Sequence, residues 1–182
     1  MARALQLAAR GRFHAAPNPH VGCVLVRDGA VIGEGFSQPA GGPHAEIEAL
    51  RAAGDARGAT AYVTLEPCNH HGRTGPCSEA LIAAGVARVV IALADPHRLA
   101  GGGAGRLREA GIAVETGLLE SEAKQLVRGF WLRHTRGWGR VRAKLASSLD
   151  GRTAMASGES QWITGPAARA DVQRLRAASG AI

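Results

Sequence analysis

The chain has 182 residues, 46% of them hydrophobic, and a formal net charge of +7. That length and apolar content are sufficient for one domain with a packed core, and no apolar run reaches the roughly 18–20 residues of a membrane span. Three cysteines without a signal peptide predict a cytoplasmic protein without disulfides. The basic residues are dispersed and aromatic residues make up only 4%, which disfavours a nucleic-acid surface and fits a phosphorylated small molecule better.

Apolar periodicity and turn residues predict an α/β domain. A helix over residues 2–11 ends before the Pro17-Asn18-Pro19 turn, and a hairpin follows around Asp28-Gly29. The predicted strands are residues 21–27, 30–36, 60–65, 88–94 and 112–116. The later predicted helices are residues 44–53, 77–84, one that ends at 110, and 120–134. A hairpin followed by alternating strands and helices is typical of a layered α/β domain with a mixed sheet.

Residues 138–182 differ in character from the rest of the chain. They predict one strand over residues 141–146, a turn, and one helix over residues 166–178. One strand and one helix cannot bury a core by themselves. We therefore expect residues 1–137 to form one domain and residues 138–182 to be the N-terminal fragment of a second.

The chemistry is predicted to lie between His44 and Cys77. His44, Cys68 and Cys77 offer one imidazole and two thiolates, the ligand set of a zinc ion that leaves its fourth position to water. Glu46 lies two residues after His44 and is better placed to move protons than to bind the metal. This order of residues is the signature of zinc-dependent nucleobase deaminases. A closed structural zinc site and a pair of buried free thiols are the alternatives.

Two helix starts are expected to face this metal. Residues two apart on a regular helix point in different directions, so His44 and Glu46 share a pocket only if His44 lies at or before the helix start. Pro43 and Pro76 precede His44 and Cys77, which fits such starts.

Eight residues separate the two cysteines, and they include His70 and Arg73. Nucleic-acid and nucleoside deaminases typically have only two residues there. A longer polar loop beside the metal can bind phosphate, because the guanidinium of arginine matches phosphate oxygens. Asn18 has two interpretations, an ordinary turn residue or an amide that recognises a heterocycle. The glycines at 101–103 and 105 do not fit a dinucleotide-binding loop, because they do not follow the preceding strand tightly.

Taken together, four segments of the chain resemble the bifunctional riboflavin-biosynthesis deaminase–reductases. The segments that carry the resemblance are residues 17–23, 44–46, 66–74 and 146–164. The resemblance implies a cytidine-deaminase-like three-layer first domain and the start of a dihydrofolate-reductase-like second domain. It also implies hydrolytic deamination of 2,5-diamino-6-ribosylamino-4(3H)-pyrimidinone 5′-phosphate, and NADPH-dependent ribose reduction by the complete second domain, which is not expected from residues 138–182 alone.

The resemblance also implies roles for individual residues. His44, Cys68 and Cys77 would hold one zinc ion, with Glu46 as the proton shuttle. In the first domain the residues expected near the substrate are Asn18, His70, Arg73 and Asp95. In the second segment, Ala146 and Trp162 match positions that touch NADPH, and Ser160 and Arg176 match positions that touch the reductase substrate.

Two departures from the family pattern affect substrate recognition. This chain has Ser37 where the family commonly has histidine, and His97 where it usually has asparagine. A deaminase of another pyrimidine, pterin or nucleobase therefore stays open, as does a non-catalytic module stabilised by zinc. The sequence leaves open whether the protein forms a homodimer.

Overall fold

The computed structural model of the protein describes residues 1–72 and 75–180. The chain divides into two compact units, Met1–Gly139 and Arg140–Ile182.

A five-stranded mixed sheet forms the centre of the first unit. Its strands are β1 (Gly22–Arg27), β2 (Ala30–Phe36), β3 (Thr60–Val63), β4 (Arg88–Ile91) and β5 (Ala113–Thr116). The order across the sheet is β2-β1-β3-β4-β5, with β1 antiparallel to both neighbours and β3, β4 and β5 parallel. Asp28 and Gly29 both have positive φ, as tight hairpin turns require. The sheet predicted from sequence is confirmed.

Helices cover both faces of this sheet. They are α1 (Ala2–Arg10), α2 (Ala45–Ala53), α3 (Cys77–Ala83), α4 (Gly103–Glu109), α5 (Glu120–Leu126) and α6 (Arg128–Arg136). Successive side chains of β1 point to opposite faces, as the strand period requires. Val24 packs with Ala4 and Leu7 of α1, whereas Cys23 and Leu25 belong to the larger core on the other side. The result is the three-layer arrangement expected from the resemblance.

One predicted helix is divided in two. The helix expected over residues 120–134 stops at Leu126 and restarts at Arg128. Val127 between them has φ −101° and ψ 26°, outside the helical region, and its side chain is only 5% exposed. Burial of Val127 in the core therefore accompanies the break, which the amphipathic pattern did not reveal.

The second unit contains one long helix, α7 (Pro166–Ala177), with proline in its first turn. The strand predicted over residues 141–146 is wrong, because no described residue after Thr116 is in a strand. Val141 and Leu145 are 87% and 81% exposed. A strand needs a partner for its backbone N–H and C=O groups, and the described residues of this unit supply none.

No helix in the described part of the chain has the length and apolar character needed to cross a membrane.

Candidate metal centre and active site

Three predicted metal ligands converge in the first unit. The Nδ1 atom of His44 lies 3.6 Å from Sγ of Cys68 and 3.3 Å from Sγ of Cys77. All three ligand atoms lie within 4.8 Å of one another. The structure therefore brings together residues that are 24 and 33 positions apart in the sequence.

These distances fit a zinc ion. Zinc takes nitrogen at about 2.0–2.1 Å and sulfur at about 2.3 Å in a tetrahedral arrangement, which places N and S atoms about 3.6 Å apart. The two observed N···S distances lie close to that value. No fourth His, Cys, Asp or Glu of the described residues joins the group. The donor set therefore suits zinc with one position left for a non-protein ligand.

Helix starts set the positions of two of the ligands. His44 is the residue before α2 and has extended backbone angles, and Cys77 is the first residue of α3. The prediction that both lie at helix starts is confirmed. The backbone N–H of Cys77 donates to Sγ of Cys68 at 3.4 Å, so the first free N–H of α3 faces that sulfur atom. Cys68 itself follows β3 at its carboxyl end.

The two thiols share their protons unequally. The pKa of Cys68 lies well below its ordinary value, because Cys77 donates hydrogen bonds to it and the imidazole of His44 is adjacent. The pKa of Cys77 is raised, because Cys68 in its thiolate form accepts its proton. Zinc binding here would release the remaining thiol proton, because cysteine binds zinc in its thiolate form.

Glu46 lies beside the ligands and is only 3% exposed. Burial raises the pKa of Glu46 to about 7. Groups with a pKa near the working pH are the ones that exchange protons efficiently in catalysis. The carboxyl group of Glu46 is therefore suited to hold and release a proton at neutral pH.

A cavity of about 450 Å³ opens onto this group of residues. Among its lining residues are His44, Glu46 and Cys68, together with three residues predicted to bind the substrate, Asn18, His70 and Asp95. Nδ1 of His70 is buried without a hydrogen-bond partner among the described residues. A buried polar atom without a partner is uncommon in folded proteins and often belongs to a functional site.

The remaining predicted residues fall elsewhere. Arg73 lies outside the described residues. Ala146, Ser160, Trp162 and Arg176 belong to the second unit. There Ala146 is half-buried, Ser160 and Arg176 are exposed, and the guanidinium of Arg169 lies 4.4 Å from the ring centroid of Trp162.

Sequence reasoning missed several residues of the cavity wall. Phe130 of α6 lines the cavity, and so does Glu66. Glu66 stands directly before Pro67-Cys68 at the end of β3, which was a usable signal. Phe130 gave none, because its approach to the site depends on the packing of α6. The two departures from the family pattern, Ser37 and His97, also line the cavity.

Comparison with protein families gives two matches. Residues 1–93 match the cytidine and deoxycytidylate deaminase zinc-binding region, and residues 139–182 match the RibD C-terminal domain. The first match covers about half of the chain and contains all three candidate ligands.

Individual relatives agree with both matches. The riboflavin biosynthesis protein RibD of Escherichia coli (strain K12) is 65% identical over 184 residues, which cover 100% of this chain and 50% of that protein. The solved structure of Acinetobacter baumannii RibD, form 1, matches with a TM-score of 0.95 and 58% identity, covering 98% of this chain and 51% of that one. A Thermotoga maritima diaminohydroxyphosphoribosylaminopyrimidine deaminase/5-amino-6-(5-phosphoribosylamino)uracil reductase matches with a TM-score of 0.91 and 45% identity, covering 97% of this chain and 51% of that one.

The chain thus spans about half the length of these relatives. The resemblance stated from the motifs is confirmed by the identity across the whole chain. Along its whole length the chain is similar to riboflavin biosynthesis proteins RibD, and it belongs to the family defined by the cytidine and deoxycytidylate deaminase zinc-binding region.

Proposed function

We propose that the first unit catalyses the hydrolytic deamination of 2,5-diamino-6-ribosylamino-4(3H)-pyrimidinone 5′-phosphate. One observation carries this proposal. The buried carboxyl group of Glu46 lies beside a three-residue zinc ligand set, in a cavity that Asn18, His70 and Asp95 also line. The similarity to riboflavin biosynthesis proteins RibD and to a diaminohydroxyphosphoribosylaminopyrimidine deaminase supports the choice of substrate class.

His44, Cys68 and Cys77 would hold the zinc ion. Zinc bound there supplies Lewis-acid chemistry, which lowers the pKa of water toward neutrality. The oxygen of water forms a bond to the amine-bearing carbon and the bond from that carbon to the amine breaks, so ammonia leaves. The two protons of this water pass in turn through the carboxylate of Glu46, the first to the ring nitrogen and the second to the departing amine. Burial of Glu46 excludes bulk water from that exchange and keeps both of its protonation states accessible.

The other residues of the cavity would orient the pyrimidine and its ribose phosphate. The side-chain amide of Asn18 can donate to and accept from the edge of a heterocycle. The carboxylate of Asp95 accepts hydrogen bonds, and the imidazole of His70, which also lines the cavity, can donate or accept one. We assign Arg73 to the phosphate because of its chemistry and its place in the loop between the cysteines.

We further propose that residues 138–182 begin a reductase domain. Its complete form would bind NADPH through residues that include Ala146 and Trp162, and its substrate through Ser160 and Arg176. The match of residues 139–182 to the RibD C-terminal domain supports this division of the chain into residues 1–137 and 138–182.

Mass spectrometry of the phosphorylated pyrimidine tests the deaminase proposal. The protein is purified, its zinc content is assayed, and the substrate is incubated with it. We expect the mass increase that accompanies replacement of an amine by oxygen, with release of ammonia. Zinc-loaded protein that leaves the substrate unchanged contradicts the proposal and favours the non-catalytic zinc module.

A related heterocycle is the second candidate substrate. Ser37 and His97, which depart from the family pattern, both line the cavity. Ammonia release measured across a panel of pyrimidines, pterins and nucleobases distinguishes this candidate from the first. A member of the panel with a higher kcat/KM than the phosphorylated pyrimidine would replace it as the substrate.

A further inference from the structure

Glu66 connects three parts of the first unit through its carboxylate. Oε2 of Glu66 accepts a hydrogen bond from the backbone N–H of Asp95 at 3.0 Å. Oε1 accepts from the N–H of Gly102 at 3.1 Å and from the N–H of Ala104 at 2.9 Å. Both carboxylate oxygens are therefore used by backbone donors, and none of these bonds belongs to a helix or a sheet.

The segment between those donors carries two groups of the cavity wall. Asp95 and His97 both line the cavity, and they lie in the loop of residues 95–102, which we call the Asp95 loop. Oδ1 of Asp95 accepts from the N–H of His97 at 2.8 Å. Nδ1 of His97 accepts from the N–H groups of Leu99 and Ala100, both at 3.2 Å. The loop is thus braced internally, and its first and last N–H groups are bound by Glu66.

Glycines at the end of this loop and directly after it permit close contact with the backbone next to Glu66. A Cβ atom on Gly103 would lie 1.9 Å from the carbonyl oxygen of Pro67, so only glycine fits there. Gly102 has φ +93°, a conformation that other residues rarely adopt. The glycine-rich stretch therefore packs the start of α4 onto the backbone beside Glu66. This close packing accounts for Gly103, in a stretch whose sequence does not fit a dinucleotide-binding loop.

We infer that Glu66 is a positioning residue for substrate recognition, which fixes the Asp95 loop relative to the metal ligand Cys68. Glu66 precedes Cys68 by two residues, so its side chain links the loop to the segment that holds the metal. The inference rests on the proposed function of the cavity. Glu66 affects substrate affinity through the positions of Asp95 and His97. It does not contact the reacting atoms.

The variant Glu66→Gln tests the inference in the zinc-loaded full chain. Glutamine has nearly the same shape, but an amide NH2 group replaces one of the two acceptor oxygens. That NH2 group faces a backbone N–H and cannot accept its hydrogen bond. We expect KM to rise on the order of tenfold to a hundredfold while kcat and zinc content stay close to those of the wild type. Hydrogen–deuterium exchange is expected to accelerate at the amides of Asp95, Gly102 and Ala104.

Glu79→Gln is the matched control. Glu79 is exposed and pairs with Arg106 of α4 at 2.7 Å, so this change also removes a carboxylate that contacts α4. We expect it to leave KM and the exchange of the Asp95 loop unaltered. Ala104→Pro is the second variant, because it removes one donor to Glu66 in the first turn of α4, where the missing N–H is tolerated. It should raise KM in the same direction, because Cδ of proline takes the place of the N–H and pushes the carboxylate of Glu66 aside.

Unaltered exchange in Glu66→Gln overturns the inference, and so does faster exchange with an unaltered KM. If Glu66→Gln does not fold, an unaltered KM in Ala104→Pro overturns it. A wild-type protein that releases no ammonia from the phosphorylated pyrimidine counts against the proposed function instead. In that case the exchange measurement still decides whether Glu66 holds the loop.

Discussion

Glu46 and Asp95 are carboxyl groups on the wall of one cavity, and burial raises the pKa of both. A buried carboxylate without a cationic partner lowers the stability of a fold. The structure shows no ion pair for either residue among those it describes. Such groups are found where a site needs them for its chemistry, so they mark the cavity as functional.

The first prediction concerns Glu46→Gln. Glutamine is almost the same size, but it cannot accept and return a proton. We expect kcat to fall on the order of 10²–10⁴-fold or more, because general acid–base catalysis typically contributes that much. Zinc content measured by metal analysis should stay at the wild-type level. Retained zinc with an almost unchanged turnover would remove Glu46 from the proton transfer.

The second prediction concerns the pH dependence of stability at Asp95. Burial raises its pKa above 3.8, Glu66 and Cys68 act in the same direction, and hydrogen bonding from the N–H of His97 and the charge on its ring oppose them. The folded protein therefore binds this proton more tightly than the unfolded chain does. The contribution of Asp95 to the free energy of unfolding is lost as pH rises through the raised pKa. Asp95→Asn should therefore be more stable than the wild type at neutral pH, and the difference should shrink toward about pH 4.

Thermal unfolding across this pH range measures the effect, and KM of the same variant should rise. Asp55→Asn is the control. The backbone N–H of Arg57 lowers the pKa of the exposed Asp55, so the change in stability at neutral pH should have the opposite sign. If Asp95→Asn is less stable than the wild type at neutral pH, the carboxylate stabilises the fold and the prediction is wrong.

At the scale of elements, helix α2 packs unusually close to β2. Cβ atoms on Gly33 and Gly35 would lie 2.2 Å from the carbonyl oxygens of Ala49 and Ala45, respectively. The helix that begins beside His44 and contains Glu46 therefore lies directly on the strand backbone. Contact between two backbones leaves no side chain that can adjust, so the position of α2 is narrowly defined.

The third prediction follows for Gly35→Ala. The added methyl group must push α2 away from β2, and overpacking of this kind costs about 3 kcal/mol of the free energy of unfolding. We expect weaker zinc binding as well, because His44 moves with the start of α2. Urea unfolding and zinc titration measure the two effects.

Gly105→Ala is the matched control for that substitution. Gly105 lies within α4 and has open space around the added methyl group. Alanine is the better helix former by about 0.5–1 kcal/mol, so this variant should be more stable than the wild type. Equal losses in both variants would contradict the argument from close packing.

Most elements could be predicted because their signals are local. The Asp28-Gly29 turn fixes the hairpin, and the prolines before His44 and Cys77 indicate helix starts. The break at Val127 and the absence of a strand over residues 141–146 could not be predicted in this way. The break accompanies burial of the Val127 side chain among core residues that are distant in the sequence. A strand over residues 141–146 depends on a partner strand.

The site shows the same division between local and distant signals. The motif predicts which residues carry the chemistry, and the structure places His44, Cys68 and Cys77 together. The bonds from Glu66 to Asp95, Gly102 and Ala104 join positions 29, 36 and 38 residues apart, and no spacing rule indicates them.

At the scale of the whole molecule, the candidate metal centre links α2, α3 and the segment after β3. The fourth prediction is that chelation of zinc lowers the melting temperature. A ligand at about 100 times its Kd stabilises a fold by about 2.7 kcal/mol, which is several degrees for a chain of this size. Calorimetry with and without a chelator measures the change.

Cysteine variants distinguish the loss of bound zinc from a general loss of stability. Cys68→Ser and Cys77→Ser should lose both the zinc and the response to the chelator. Cys23→Ser is the matched control, since Cys23 is a buried thiol outside the ligand group. Cys23→Ser should have a lower melting temperature than the wild type, but it should still bind zinc and still respond to the chelator. One full equivalent of zinc in Cys68→Ser or Cys77→Ser would contradict the assignment of these ligands.

The direct stacking of α2 on Gly33 and Gly35 has an evolutionary consequence. His44 and Glu46 belong to that rigid pair of elements, whereas Asn18, His70 and Asp95 belong to connecting loops. Mutation can therefore remodel the loops, and with them the choice of heterocycle, while the hydrolytic machinery is inherited unchanged. Divergence of new specificities from this scaffold should accumulate in the loops and spare the two glycines.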